Sequence, residues 1–199
     1  MKNPNTKHVT IRNRDMQKGY RIEVISLDQT PLSVLEGCAS LYCEIWREPP
    51  WNEDFWTTEI VLQELKEELA RGQSRGFLAL PTDPKSNDAI IGFTWGYRVS
   101  MEDMQNISGT SQMDRFFENG EVFYIDELGV DSNCRLKGAG RELSECLLEW
   151  AIKTGHETIL LRTDLRAEPA RALYKGLGFV ELDVIDANEH QRSYWVLEL

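Results

Sequence analysis

Three cations and two glycines stand together in Arg135-Leu136-Lys137-Gly138-Ala139-Gly140-Arg141, between an apolar run and a helical pattern. Val122, Phe123, Tyr124, Ile125, Leu128 and Val130 predict a largely buried strand before the loop, and Arg141 to Lys153 carries helical periodicity after it. A loop that opens a helix presents main-chain N–H groups with no partner inside that helix. Those donors, the helix dipole and the side chains of Arg135, Lys137 and Arg141 together favour an anion, and phosphate fits best. Gly138 and Gly140 lack the Cβ that would hold a phosphate off the main chain. The loop is not a nucleotide-binding GxxxxGK[ST], because no Ser or Thr follows Lys137. Nor is it a GxGxxG dinucleotide turn, since the glycines are wrongly spaced and the basic residues come first.

The spacing V-x4-R-x-x-G-x-G, here Val130 to Gly140, resembles the coenzyme A pyrophosphate loop of the GCN5-related N-acetyltransferases (GNAT). Further on, Ala170-Arg171-Ala172-Leu173-Tyr174-Lys175-Gly176-Leu177-Gly178-Phe179 resembles the A-x-x-L-Y-x-x-x-G-F motif of the same superfamily. The two stand in the superfamily's order, with one helix and one strand between them. The likeness is specific over residues 121–180 and topological before them. It implies an α/β fold, a mixed central β-sheet flanked by helices, and acetyl-CoA as co-substrate with no metal.

The resemblance also implies roles. The pyrophosphate falls to the N–H groups of Leu136, Lys137, Gly138, Ala139, Gly140 and Arg141, helped by the Arg135 and Lys137 side chains. The preceding strand splays, so the main chain of Leu128, Gly129 and Val130 meets the pantetheine arm. Gly129 suits a bulge or a close main-chain approach, or else marks a weak point in the strand. Tyr174 takes the place of the general acid; a phenol of pKa about 10 is protonated at neutral pH and can donate to a departing thiolate. Asp126 and Glu127 precede the loop as candidate bases, with the lean towards Glu127. Adjacent strand residues face opposite ways, so one of the two is expected at the acceptor amine. Relatives often carry Asn seven residues before the tyrosine; Ala167 stands there instead, leaving that contact missing or supplied by Asp164 or Arg166.

Trp46-Arg47-Glu48-Pro49-Pro50-Trp51-Asn52-Glu53-Asp54-Phe55-Trp56 occupies the segment that shapes the acceptor pocket in that superfamily. Its prolines stiffen the chain, and its aromatic and acidic side chains can hold an ammonium by cation–π and ionic attraction. Trp46, Trp51 and Phe55, joined by Trp95 and Tyr97 from one strand face, are the candidate acceptor wall. The competing reading is that these aromatics only pin the loop to the sheet. His190 is a weaker candidate for a titrating group than for an ordinary exposed histidine.

Charge and composition bound the rest. The 199 residues suit one domain with a substantial core, read as a polar N-terminal arm over 1–19 and a single domain over 20–199. A net charge of −11 argues against nucleic acid, which is held by clustered Lys and Arg. Cys38, Cys43, Cys134 and Cys146 form no CxxC pair and His8, His156 and His190 are scattered, which argues against zinc or a disulfide framework. Cys134, beside the basic loop, would favour its thiolate there or simply fill a turn. Without an apolar leader or a bilayer-length apolar stretch, the expectation is a cytoplasmic protein with no membrane partner. A homodimer is left open.

The periodicities predict strands at Tyr20–Leu27, Phe77–Leu80, Ile90–Val99 and Thr158–Arg162, with Phe179–Ile185 and Ser193–Leu199 as a closing hairpin. Leu32 to Trp46 predicts a helix that Pro49-Pro50 must end. A second, capped by Thr57 or Thr58, carries the stripe Ile60, Leu62, Leu65, Leu69; a third covers Glu168–Gly176. PTDPKSND reads as a turn, and residues 101–119 as a helix or lid. The functional expectation is an acetyl-CoA-dependent N-acetyltransferase that acetylates a primary amine of a small molecule or peptide by direct attack. The alternatives are acetylation of a protein N-terminus or lysine, and a non-catalytic acyl-CoA sensor.

Overall fold

The computed structural model describes residues 19–83, 89–118 and 120–199. The predicted N-terminal arm, all but its last residue Gly19, and most of the PTDPKSND turn lie outside them. Seven strands form one sheet: β1 (Tyr20–Ile25), β2 (Arg75–Pro81), β3 (Gly92–Val99), β4 (Val122–Val130), β5 (Thr158–Asp164), β6 (Val180–Glu181) and β7 (Arg192–Glu198). Their order is β1-β2-β3-β4-β5-β7-β6. All neighbours run antiparallel except β4 and β5. Parallel neighbours need a crossover, and the helix after the glycine-rich loop supplies it.

The sheet is covered on both faces. On one, α1 (Leu32–Arg47) and α2 (Thr58–Leu69) bury Leu35, Tyr42, Ile45, Trp46, Val61 and Leu65 against Leu78, Phe93 and Trp95. Thr57 caps α2 by accepting from the Ile60 N–H at 3.3 Å. Of the predicted stripe Leu65 is buried and Leu62 and Leu69 pack partly against the core, while Ile60 is exposed and Val61 is buried in its stead. On the other face α4 (Ala139–Lys153) packs Leu143, Leu147 and Ala151 over β2–β4, and α5 (Glu168–Gly176) sits beside it.

The stretch read as a helix or lid is a wall. α3 (Met101–Ser108) starts in a reciprocal cap between Ser100 and Asp103 and ends at Gly109, whose φ of 65° suits glycine. A 3₁₀ turn (Asp114–Phe117) follows. Met104, Met113, Phe116 and Phe117 are buried against Tyr97, Tyr124 and Tyr194. The closing hairpin is present with a β6 of only two residues.

Two irregularities in β4 open the fold. Its pairing with β5 covers only Phe123–Ile125 against Ile159–Leu161, although β4 continues to Val130 and β5 to Asp164. Beyond Ile125, β4 keeps β3 on one side and leaves its β5-facing main chain unpaired, so a cleft starts there. The register with β3 also shifts: Gly96 pairs with Ile125 but Trp95 with Glu127, leaving Asp126 as an extra bulged residue.

Candidate active site

The bulge corrects one expectation. Asp126 follows Tyr124 onto the α1–α2 face, and the extra residue returns Glu127 to that same face, opposite Trp95. Both carboxylates therefore line one cavity of about 630 Å3, instead of one on each side of the sheet. They are held differently. Asp126 Oδ2 accepts from the Tyr97 hydroxyl at 2.8 Å, and Asp126 is also in hydrogen-bond contact with the Glu68 carboxyl on α2. Glu127 Oε1 accepts from the Tyr42 hydroxyl at 3.1 Å. Burial first, then the Asp126 charge beside it, pushes the Glu127 carboxyl well above the usual carboxylate range.

Tyr174 lies across the cleft, on α5, buried beside Phe179 and Trp195 with ring centroids 6.0 and 6.4 Å away. It lines the same cavity as Glu127. Burial, with Glu127 nearby, raises its phenol pKa, so the group stays protonated over the physiological range. Among the described residues its hydroxyl makes no hydrogen bond.

Trp46, Trp51 and Phe55 line the cavity with Trp56 and Tyr42. Tyr42 stacks on Trp46 at 4.1 Å, and Trp46 on Trp51 at 5.8 Å. Trp95 does not line it: fully buried against Phe93, it lies one layer behind and donates its indole N–H to Glu68 Oε2 at 2.6 Å. Tyr97, expected beside it, does line the cavity. The Trp-rich loop is anchored across the cleft. Arg166 Nη2 donates to the Pro50 carbonyl at 3.0 Å, and Arg192 lies 4.9 Å from the centre of the Trp51 ring and 3.6 Å from Glu53. Loop pinning and cavity lining, posed as alternatives by the sequence, are done by the same residues. Arg166 also grips Asp164 with both nitrogens at 2.9 and 2.7 Å, so the two residues offered in place of the missing Asn are engaged with each other. His190 is exposed in the turn before β7.

At the other mouth of the cleft, α4 starts at Ala139, two residues earlier than predicted. Its first ladder bond runs from Glu142 N–H to the Gly138 carbonyl at 3.0 Å, so the N–H groups of Ala139, Gly140 and Arg141 precede the ladder. Gly138 has φ 94° and, among the described residues, only the Tyr20 hydroxyl within 4 Å of where a Cβ would stand, while Leu136 (φ 63°) is fully exposed. The three cations have internal partners. Arg135 bridges Val130 O at 2.9 Å and Glu48 Oε2 at 2.6 Å, Lys137 bonds Asn133 O at 2.9 Å, and Arg141 reaches Gly176 O at 3.4 Å. Leu128 lines the cavity. Gly129 answers to close approach, not to a bulge: a Cβ there would stand 2.5 Å from Phe93 and 2.8 Å from Ile45, and the bulge sits three residues earlier. Val130 packs near Gly140, holding loop and strand together. Cys134 closes a short turn, its N–H on the Asp131 carbonyl at 2.8 Å.

Sequence reasoning missed Tyr42 and Glu68 as polar members of the site, and it named Tyr97 only as part of the aromatic wall. Glu64, Glu67 and Glu68 on α2 and Arg71 just past its end line the cavity, and Glu68, three residues after Leu65 and seven after Val61, falls on the buried stripe itself. Arg162 and Arg192, from β5 and β7, complete the far wall. A hollow of about 660 Å3 at the β1–β2 edge holds none of these groups, so chemistry and not size selects the site.

The parallel pair β4 and β5 thus parts over a carboxylate pair, with a glycine-rich helix start at one mouth and an aromatic pocket at the other. A model of the acetyltransferase (GNAT) family matches residues 38–179, and the chain belongs to that family. Solved structures agree on the fold. Arabidopsis thaliana NAA60 in complex with acetyl-CoA superposes with a TM-score of 0.63 at 18% identity, covering 90% of this chain and 98% of that one. An agmatine N-acetyltransferase gives 0.60 at 16% identity, over 89% and 99%. An aminoglycoside acetyltransferase from an uncultured soil metagenomic sample gives 0.58 at 17%, over 86% and 95%. No curated protein matches the sequence.

Proposed function

We propose that the protein is an acetyl-CoA-dependent N-acetyltransferase that acetylates a primary amine of a small molecule or peptide by direct attack. The observation that carries this reading is the convergence of Glu127 and Tyr174 on one cavity at the parting of β4 and β5. Family membership and neighbours that include an acetyl-CoA complex support the choice of co-substrate. The residues fit it: the N–H groups at the start of α4 can cradle the pyrophosphate, with Arg135 and Lys137 beside them. The open edge of β4 at Leu128–Val130 can pair with an amide-bearing arm. The co-substrate supplies an activated thioester carbonyl.

The chain's own groups do the rest. The aromatic wall and the carboxylates of Glu64 and Glu67 draw an ammonium into the cavity. Glu127 takes one proton from it, and its raised pKa brings it closer to that of the amine it must deprotonate. As the C–S bond breaks Tyr174 gives its proton to the departing thiolate, and the second proton, shed by the nitrogen as the amide forms, restores the phenol. Similarity to an agmatine N-acetyltransferase and to an aminoglycoside acetyltransferase favours a cationic acceptor. The test is thiol release from acetyl-CoA across a panel of diamines, aminoglycosides, amino acids and peptides. Turnover concentrated on cationic amines is expected; turnover on none would refute the reading in favour of an acyl-CoA sensor.

A further inference from the structure

The carboxyl of Glu68 has no place in the transfer as described, yet it touches the reacting region. It reaches down from α2 between two β-strands. Trp95 on β3 donates to its Oε2 at 2.6 Å, and on its other side it meets Asp126 on the β4 bulge. Asp126 in turn accepts from Tyr97 at 2.8 Å. Two carboxyl groups in hydrogen-bond contact cannot both be acceptors, so a proton lies between them. The geometry points to Glu68 as a positioning residue that stays a neutral carboxylic acid, donating its proton to Asp126 while Glu127 remains the carboxylate that meets the acceptor amine.

The hydrogen-bond count distinguishes the two carboxylates. Asp126 is held by two donors, Tyr97 and Glu68, whereas Glu127 has the Tyr42 hydroxyl alone and keeps lone pairs for an incoming ammonium. Were Glu68 ionised, three negative charges would crowd one half-buried cluster. The shared proton removes one of them and leaves Glu127 able to ionise. Other titratable or charged groups face the cluster from each neighbouring element: Glu64 and Glu67 on α2, Arg71 just past its end, Glu53 in the Trp-rich loop, Tyr42 on α1, Tyr97 on β3, Arg162 on β5, Glu189 in the turn before β7 and Arg192 on β7. The arginines already hold partners, Arg162 on Asp186 at 3.3 Å and Arg192 on Glu189 at 2.7 Å and Glu53 at 3.6 Å; Arg71 lies over the Tyr97 ring at 4.3 Å. None supplies the counter-charge that would let Glu68 ionise freely. Consistently, burial and then the Asp126 charge push the Glu68 carboxyl up to about 10.

The consequence for rate rests on the acetyltransferase reading; the protonation itself does not. Infrared difference spectroscopy of the protein alone at pH 8 reads the carbonyl band of a protonated carboxylic acid. That band is expected in Glu127→Gln, where Glu127 cannot contribute to it, and lost when Glu68→Gln is added; its absence from Glu127→Gln overturns the proposal whether or not the protein has transferase activity. Steady-state kinetics then read the positioning. Glu68→Leu removes the donor and should lower kcat about thirtyfold, while the amide N–H of Glu68→Gln should rescue it to within about threefold with the amine KM little changed. A Glu68→Gln variant that keeps kcat but raises the amine KM tenfold would mean that Glu68 binds the acceptor as a carboxylate, and would overturn the inference. Failure of every variant and the parent to turn over, with the band present, would count against the acetyltransferase reading and leave the buried acid standing.

Discussion

Replacing Glu127 by Gln removes the base while keeping the shape and an oxygen for the Tyr42 hydroxyl now 3.1 Å away. General-base catalysis is worth about 10²–10⁴-fold. The lower end applies here, because solvent can deprotonate part of the amine without help. The pH dependence follows from the direction of the shift. Burial and Asp126 raise the Glu127 pKa, so in the parent kcat/KM climbs through that raised value and flattens once Glu127 is ionised. In Glu127→Gln only free amine reacts. With an acceptor pKa of about 10.4 its fraction grows tenfold per pH unit, so the deficit of about a hundredfold at pH 7.5 shrinks steadily towards pH 10. Stability should move the other way. A carboxyl whose folded pKa is raised makes the folded state hold more protons than the unfolded one between the two values, so stability falls as pH rises through that window. Glu127→Gln removes this slope and should melt higher than the parent at neutral pH. Thiol release from pH 6 to 10, alongside thermal melts, provides both readings. A variant within threefold of the parent, with the same pH profile, would refute Glu127 as the base.

Tyr174→Phe should lower kcat about tenfold or more while leaving coenzyme A affinity within twofold, as stopped-flow turnover and calorimetry would read; a parallel loss of affinity would point to a packing role. Glu48→Gln releases Arg135 from its ion pair at the loop, and coenzyme A should bind about threefold tighter, the modest size expected of a part-exposed pair. Gly129→Ala places a Cβ 2.5 Å from Phe93 and 2.8 Å from Ile45, within the packing of α1 on β4, and should cost about 1–3 kcal/mol in urea titration.

The helices and strands were legible wherever periodicity and punctuation agreed. Glu168–Gly176 appears with its predicted bounds, and the first helix, ended before Pro49-Pro50, runs one residue past its predicted Trp46. The loop and its helix were legible because glycines and cations carry their meaning locally. The bulge was not. Asp126 and Glu127 sit in an unbroken apolar-flanked strand, and only the pairing with β3 reveals that Trp95 and Gly96 are offset by an extra residue. That one insertion turned two alternating carboxylates into a pair. Trp95 was misread for a related reason: the aromatic face of β3 was visible, but the depth at which each residue lies depends on how α2 covers it. Glu68 and Tyr42 were hidden by their helices, where a periodic pattern marks the buried stripe and says nothing of which polar neighbour tips into a cleft.

The most direct measurement is a calorimetric titration of the purified protein with acetyl-CoA, repeated with adenosine 3′,5′-bisphosphate. Saturable one-to-one binding of acetyl-CoA, much tighter than that of the fragment lacking pyrophosphate and arm, is the predicted result. It would mean that the α4 start and the open edge of β4 both hold the ligand. No saturable heat with acetyl-CoA would contradict the account at its centre.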